Sequence, residues 1–370
     1  MGLNGRTRRW LQRTSRPLWR LVVAGDSVAA VSGAPRFTWR SSVTSVDTPD
    51  LVDVPMPRFS RHLARSSYAP PPAEVAVLKR VRFQARFHVV FTARRRLLVD
   101  SVSTGDLRDL VGWRQLLGAA PVDLPGLTST FRSFQNTYYH TLIDNLPRLF
   151  LLDEARRQFG IEPELLVAGP LTPAEAFLVP RLAPGLRVRE VDPRHVYRAE
   201  RFLFLGFLTR RFSGWLPPEY LAWLRRRIAP GRPPRRDRRI WISRQVIAGR
   251  HMRNVTNEAA VMDALAPLGF EAYRLEDLTI PQQVELFYDA EMVVAPHGAG
   301  LANLIFGSGA RVLELFPSRF VVPHYHLLAA ACGHTHTWWC GDGRHRDSDL
   351  VADIPEIVGR VERWVDRQAR

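Results

Sequence analysis

Lysine is nearly missing from this 370-residue chain: Lys79 stands alone among 52 basic residues, so arginine carries almost all of a formal net charge of +16. That bias suits anionic ligands or an anionic membrane face, and a GC-rich coding sequence would produce it as well. Nucleic acid is the alternative of a different class, but neither a basic face interleaved with aromatics nor a known binding module is evident. Cysteine is scarce too. Cys332 and Cys340 are the only two, which excludes a disulfide framework and fits a reducing compartment. No apolar run reaches the length of a spanning helix, and Leu21 to Ala24 is too short for a signal-peptide core. The expected location is cytoplasmic. Arg6 to Arg20, rich in arginine around Trp10, Leu11, Leu18 and Trp19, is either a solvated tail or a segment lying peripherally on the anionic inner membrane face.

Residues 293–317 are the most informative part of what is present. Met292 to Ala295 reads as a buried strand, His297-Gly-Ala-Gly300 as a tight turn and Leu301 to Phe306 as the helix that follows. The glycines leave the amides of Gly298 to Leu301 uncovered at a helix start, where free N–H donors and the positive end of the dipole suit a phosphate. A glycine turn that serves only close packing is the competing account. Arg311 to Leu315 then forms a second strand with Glu314 near its end. Upstream, Arg239 to Arg244 is a strand ending in a cation. Arg253 and Thr256-Asn257-Glu258 precede an amphipathic helix that Asn257 or Thr256 can cap and Gly269 closes. Phe270 to Leu275 reads as a strand, and Thr279-Ile-Pro-Gln282 has capping-box spacing and opens a helix to Ala290. This alternation predicts a parallel sheet with ligands at its carboxyl edge, where Arg244, Arg253, His297 and Glu314 fall.

A length of 370 residues at 46% hydrophobic content allows two cores. The expected segments are a basic, loop-rich 1–72, an α/β domain over 73–228, a proline- and arginine-rich linker at 229–239, a second α/β domain over 240–352 and a terminal helix over 353–370. In the first half, Val75 to Phe83, Phe87 to Thr92, Leu97 to Ser101, Glu164 to Ala168, Val188 to Val191 and Arg201 to Phe207 read as strands. Thr137 to Phe159 and Pro173 to Leu182 read as helices. His140, Asp144 and Arg148, spaced by four, would share one helix face. Pro147 is expected to kink that helix, because it removes an amide donor and crowds the Ile143 carbonyl.

Taken in order, Tyr139-His140, Asp144-Asn-Leu-Pro-Arg148-Leu, Ile242-Ser-Arg244, Arg253 to Asn257-Glu258, Pro281-Gln-Gln, His297-Gly-Ala-Gly-Leu-Ala-Asn303 and Val312-Leu-Glu314-Leu resemble glycosyltransferase family 61, in the manner of a bacterial member of capsular or surface-polysaccharide synthesis. The resemblance implies an α/β fold of the GT-B kind: two Rossmann-like domains with parallel sheets facing a central cleft. It further implies a nucleotide-sugar donor, inversion at the anomeric carbon, and no essential metal or other cofactor. The implied acceptor is a hydroxyl of a glycan or lipid-linked glycan, with the sugar, the nucleotide and the acceptor left open. Such a displacement needs a base at the acceptor hydroxyl and positive charge on the departing phosphates. Asp144 is the candidate base, His140 the alternative, and Arg148 an acceptor-side residue. Arg244, Arg253, Asn257, His297, Gly298, Ala299, Gly300 and Asn303 are candidate donor contacts, and Glu314 is expected to accept ribose hydroxyls.

Other motifs compete with this reading. Gly25-Asp-Ser27 with Asp342-Gly-Arg-His345 imitates an SGNH-type serine esterase acting on carbohydrate esters, yet a Gly-x-Asn-Asp block is missing. No Gly-x-Ser-x-Gly elbow accompanies the His297 turn. Asp347-Ser-Asp349 has the spacing of a metal-binding pair but directly precedes a capping-box helix start at Asp353 to Glu356. His324, His326, Cys332, His334, His336 and Cys340 match no zinc spacing, and Val321 to Ala331 reads more simply as a helix followed by a strand. A gel-shift titration with random DNA tests the nucleic-acid alternative: no retardation is expected at low salt, and a salt-sensitive shift would revive it.

Overall fold

The computed structural model describes residues 25–31, 35–47, 67–102, 120–209, 214–245, 253–318, 321–343 and 349–366. The basic stretch Arg6 to Arg20, the short apolar run Leu21 to Ala24, His345 and Asp347 lie outside the described residues. The chain divides into two compact units, one drawing on Met1–Arg40 and Pro72–Arg211, the other on Ser41–Pro71 and Phe212–Arg370. Among the described residues no helix is long and apolar enough to cross a membrane.

In chain order the strands are β1 (Gly25–Asp26), β2 (Arg36–Trp39), β3 (Val46–Asp47), β4 (Ser67–Tyr68), β5 (Ala73–Gln84), β6 (Val89–Phe91), β7 (Leu97–Leu98), β8 (Val122–Ser129), β9 (Glu164–Ala168), β10 (Val188–Val191), β11 (Val196–Leu205), β12 (Arg238–Ile242), β13 (Phe270–Tyr273), β14 (Ala290–Pro296), β15 (Arg311–Phe316) and β16 (Thr335–Cys340).

The first unit holds a nine-stranded sheet in the order β1-β7-β6-β5-β11-β8-β9-β10, with β2 also against β5. Strands β11, β8, β9 and β10 run parallel, whereas β5 is antiparallel to β2, β6 and β11. The sheet is therefore mixed, not the wholly parallel one expected. The reason is local. Only Ala85 to His88 separate β5 from β6, and a link that short reverses the chain but cannot carry a crossover. Where helices do intervene, Arg148–Phe159 before β9 and Pro173–Leu182 before β10, the neighbouring strands are parallel.

Among the described residues of this unit, the guanidiniums of Arg132 and Arg148 are buried. Arg132, 1% exposed, donates Nε to Glu175 Oε1 at 2.8 Å and Nη2 to Oε2 at 2.6 Å, and its remaining hydrogens reach the carbonyls of Ala168 and Pro170 at 2.8 Å each. Glu175 also completes the capping box with Thr172 at the start of Pro173–Leu182. One carboxylate thus neutralises the buried arginine and caps the start of a helix.

The second unit is a five-stranded, wholly parallel sheet in the order β13-β12-β14-β15-β16. From β12 the chain passes through helix Glu258–Leu265 to β13, then through Ile280–Tyr288 to β14 on the other side of β12. The expected Thr279/Gln282 capping box is formed there. Two-sided burial explains the apolar runs, with Met292 to Ala295 and Val312 to Leu313 at 0% exposure. Helix Ile354–Asp366 sits in this unit and packs Ile357 and Val361 into the cluster around Trp241, Val261 and Phe270.

Residues 229–239, expected as a linker, fall within the second unit. Asp289, 1% exposed, pins them: it accepts from Arg232 Nη1 and Nη2 at 2.8 and 2.7 Å and from Arg235 Nε and Nη2 at 3.0 and 2.8 Å. Those bonds hold the Asp289 carboxyl well below the usual carboxylate range. A proline- and arginine-rich run reads as linker only until its carboxylate partner is known.

Glu175→Ala strands the Arg132 charge, and a loss of about 3–5 kcal/mol in unfolding free energy is expected by urea titration. A loss below about 1 kcal/mol would contradict the neutralising role.

Candidate functional site

At the carboxyl edge of the second sheet, β12 runs into Ser243-Arg244 and β14 into His297-Gly298. The chain leaves these adjacent strands in opposite directions, and such a point in strand order is where open parallel sheets receive ligands. The turn lies directly against the arginine. A Cβ on Gly298 would sit 1.8 Å from Arg244 Nη1, and one on Gly300 would meet Leu275 Cδ1 at 2.8 Å. Gly298 has an extended φ of −179°, so close approach, not a left-handed backbone, is what requires glycine there.

The uncovered amides are fewer than expected. Leu301 N–H returns to the Gly298 carbonyl at 3.1 Å and starts the 3-10 helix Ala299–Phe306. Gly298, Ala299 and Gly300 precede that first bond, with Ala299 exposed.

Arg244 Nη1 touches the His297 carbonyl at 3.4 Å, while its Nε is buried without a hydrogen-bond partner. Burial, and then the neighbouring charge of Arg253, push the Arg244 guanidinium below the ordinary arginine range. Arg253 holds a left-handed φ of 64°, an uncommon conformation for a residue with a side chain. Two guanidiniums that repel each other beside open amides attract an anion, because a dianion placed there relieves the repulsion.

His297, its side chain 16% exposed, is held on three sides. Phe316 stacks on the ring at 5.1 Å, Tyr325 lies at 5.4 Å, and Nδ1 meets Glu314 Oε1 at 2.5 Å. Glu314 is wholly buried, and its other oxygen accepts from His336 Nε2 at 2.9 Å. His336 Nδ1 in turn lies 3.3 Å from His326 Nδ1. Burial pushes His297 below the usual imidazole range, with Glu314 pulling the opposite way, and burial raises Glu314. Burial also lowers His336 to about 3 and His326 to about 4.

Three residues expected at the donor take other parts. Both Glu314 oxygens are occupied by imidazoles, so ribose hydroxyls find no acceptor there. Asn257 spends its amide on the Ala352 backbone, Nδ2 to the carbonyl at 2.9 Å and Oδ1 from the N–H at 2.8 Å, and makes no side-chain cap bond. Asn303 is 0% exposed and donates to Gln283 Oε1 and the Gly300 carbonyl. Full burial removes it from any ligand.

In the first unit, the expected kink is a π-helical turn. Pro147 cannot donate, and the ladder widens so that Leu146 N–H bonds to the Thr141 carbonyl at 2.9 Å, within Thr141–Asn145. His140 and Asp144 stay together across this turn: Nδ1 meets Oδ2 at 2.6 Å. Thr209 Oγ1 donates to Asp144 Oδ1 at 2.5 Å. Asp144 is therefore buried with both oxygens engaged, and His140 is the more exposed partner, at 13% against 6% for the two side chains. Arg148 does not join them. Its guanidinium donates to the carbonyls of Leu205, Phe131 and Arg132 at 2.6 to 3.2 Å and lies over the Phe207 ring. At 3% exposure, with burial lowering it to about 9, it is a carbonyl clamp and not an acceptor contact.

Thr209, Tyr325, His326 and His336 were not singled out for this site by sequence. The alternation of His334 and His336 was visible, but the carboxylate awaiting His336 lies 22 residues earlier. Of the esterase imitation, Asp26 is paired with Arg96 at 2.8 Å. Among the described residues no group of three or more His, Cys, Asp or Glu side chains is arranged to hold a metal ion.

The family model described as Glycosyltransferase 61 matches residues 138–313, from the helical turn that carries His140 and Asp144 into β15. No individual curated protein matches the chain.

Three histidines of the second unit, His326, His334 and His336, are held by burial near about 4, 4 and 3. Unfolded, they take up protons below about pH 6.5. The unfolded state then binds more protons, so stability is complete above that value and falls as pH drops toward about 4, by up to roughly 1.4 kcal/mol per pH unit for each ring. Urea midpoints between pH 7.5 and 4.5 measure this, and a flat profile would contradict it.

Proposed function

We propose, for a chain that belongs to glycosyltransferase family 61 through residues 138–313, an inverting, metal-independent transfer of a sugar from a nucleotide-sugar donor to a hydroxyl of a glycan or lipid-linked glycan. Family membership implies the transferase activity. The observation that carries the donor assignment is the Arg244 guanidinium lying against Gly298 at the carboxyl edge of β12 and β14. Arg244, Arg253 and the amides of Gly298 to Gly300 bind the diphosphate, and His297 donates to one of its oxygens. As the anomeric C–O bond breaks, charge grows on the leaving diphosphate, and these fixed donors stabilise it more than they stabilise the bound donor. The arginine pair supplies there the charge that a divalent cation would otherwise bring.

The base is assigned to His140. Asp144, fixed by Thr209, holds Nδ1 and leaves Nε2 to take the acceptor hydroxyl's proton. This exchanges the parts expected from sequence, in which Asp144 was the base. Surface-polysaccharide synthesis on the cytoplasmic side, with the arginine-rich start resting on an anionic membrane face, is the setting we propose for it.

Calorimetry with UDP, GDP, CDP and ADP tests the donor half. At least one is expected to bind, and Arg244→Ala or Arg253→Ala should weaken it about ten-fold or more. Lack of binding by all four would sink the assignment. For the base, His140→Gln is expected to keep donor affinity while release of nucleoside diphosphate from the cognate donor slows about 10²- to 10⁴-fold. Unchanged turnover would remove His140 from that role.

A further inference from the structure

The imidazole at the donor edge is not isolated. It ends a chain of four side chains, His297, Glu314, His336 and His326, joined at 2.5, 2.9 and 3.3 Å across β14, β15, β16 and helix His324–Cys332. With Glu314 ionised its oxygens only accept, so each ring nitrogen that faces it carries its hydrogen: Nδ1–H of His297 donates to Oε1 and Nε2–H of His336 to Oε2. His336 Nδ1 is then bare and accepts from His326 Nδ1–H. The tautomers are fixed one after another along the chain, and the last consequence falls on His297. With its hydrogen on Nδ1, its Nε2 has none, and that nitrogen makes no hydrogen bond to the described residues.

A phosphate oxygen also only accepts. For His297 to hydrogen-bond a bound diphosphate, Nε2 must gain a proton, and the only source is solvent. The groups facing the ring set when this happens. Glu314 favours the added charge. Arg253, Arg244 and His324 at the same edge oppose it, as does burial between Phe316 and Tyr325. A diphosphate cancels the arginine charge, which tips the balance toward protonation.

Resting on the donor assignment above, we infer that binding of a nucleoside diphosphate at this edge takes up one proton on His297, with Glu314, His336 and His326 as positioning residues that keep Nε2 open for it. Glu314 balances the imidazolium that forms. On either side of the short Nδ1–Oε1 contact the proton leaves the count unaltered, since Nε2–H is present in both cases.

The test is calorimetry of the full chain with UDP, GDP, CDP or ADP, whichever binds, in buffers of different ionisation enthalpy at pH 7.5 and 8.5. These values lie above the range in which a terminal phosphate titrates, about pH 6. The slope of observed heat against buffer ionisation enthalpy is expected to report an uptake approaching one proton. His297→Asn should bind about ten-fold more weakly with the uptake gone. Glu314→Gln keeps a hydrogen-bonding group between the two rings but removes the balancing charge, so uptake should fall toward zero; His336→Gln, with a partial loss, serves if that variant does not fold. Binding with no net proton in the wild-type chain overturns this inference and leaves the donor assignment standing. Undiminished uptake in His297→Asn overturns it as well, by locating the proton elsewhere. Lack of binding by all four nucleotides overturns the inference and the donor assignment together.

Discussion

The strand order of the second sheet is the constraint on which the proposed donor edge depends. Strand β12 lies between β13 and β14, and the chain continues outward from both sides of it. At that edge Arg244 and the Gly298 turn meet, with the N–H groups of Gly298 to Gly300 ahead of the first helical bond among the described residues. The glycines then act through what they lack. Without a Cβ at Gly298 the guanidinium settles on the backbone, and without one at Gly300 the turn reaches Leu275 and Ile242. Charge and amides converge because two side chains are missing.

Arginine does two different jobs in this chain, which its composition alone does not separate. Arg132, Arg148 and Arg225 are spent inside the units, on a carboxylate or on backbone carbonyls that no lysine could fan out to reach. Arg232 and Arg235 tie a proline-rich strap to Asp289. Arg244 and Arg253 differ in kind. They stand near each other and beside His297, Arg244 at its carbonyl and Arg253 acting on its ring, where their mutual repulsion favours an anionic guest. A net charge of +16 is thus partly structural reinforcement and, on the function proposed here, partly binding capacity.

Each unit also carries a histidine steadied by a buried carboxylate, and in each case a further side chain fixes the carboxylate. In one, Thr209 holds Asp144, which holds His140. In the other, His336 holds Glu314, which holds His297. The hydroxyl or imidazole behind the acid matters because a buried carboxylate with a vacant oxygen would be costly and free to rotate. Occupying both oxygens fixes the tautomer of the outer ring and leaves Nε2 as its chemical face. The π turn before Pro147 contributes to the first of these pairs: it keeps His140 and Asp144 together and turns Arg148 toward the carbonyls of Leu205 and Arg132.

By itself the sequence determined what acts over a few residues. Apolar runs located the parallel strands of the second unit, capping-box spacings located Thr279 and its helix, the glycines marked the turn after His297, and Pro147 marked an interruption. It also singled out Arg244, His297, His140 and Asp144 as candidates, because each sits at a strand end or within one turn of another. Tertiary structure alone decided which partners those residues meet. Thr209 reaches Asp144 from 65 positions away, and His336 reaches Glu314 only because β15 and β16 align in one register. Asn257, Asn303 and Arg148 looked like ligand contacts because a polar side chain beside a motif carries no mark of where it points. Packing, a property of the whole, gave them partners within the fold instead. Local signals fix where the chain bends and hides its apolar faces, whereas a side chain's role follows from neighbours brought in by distant strands.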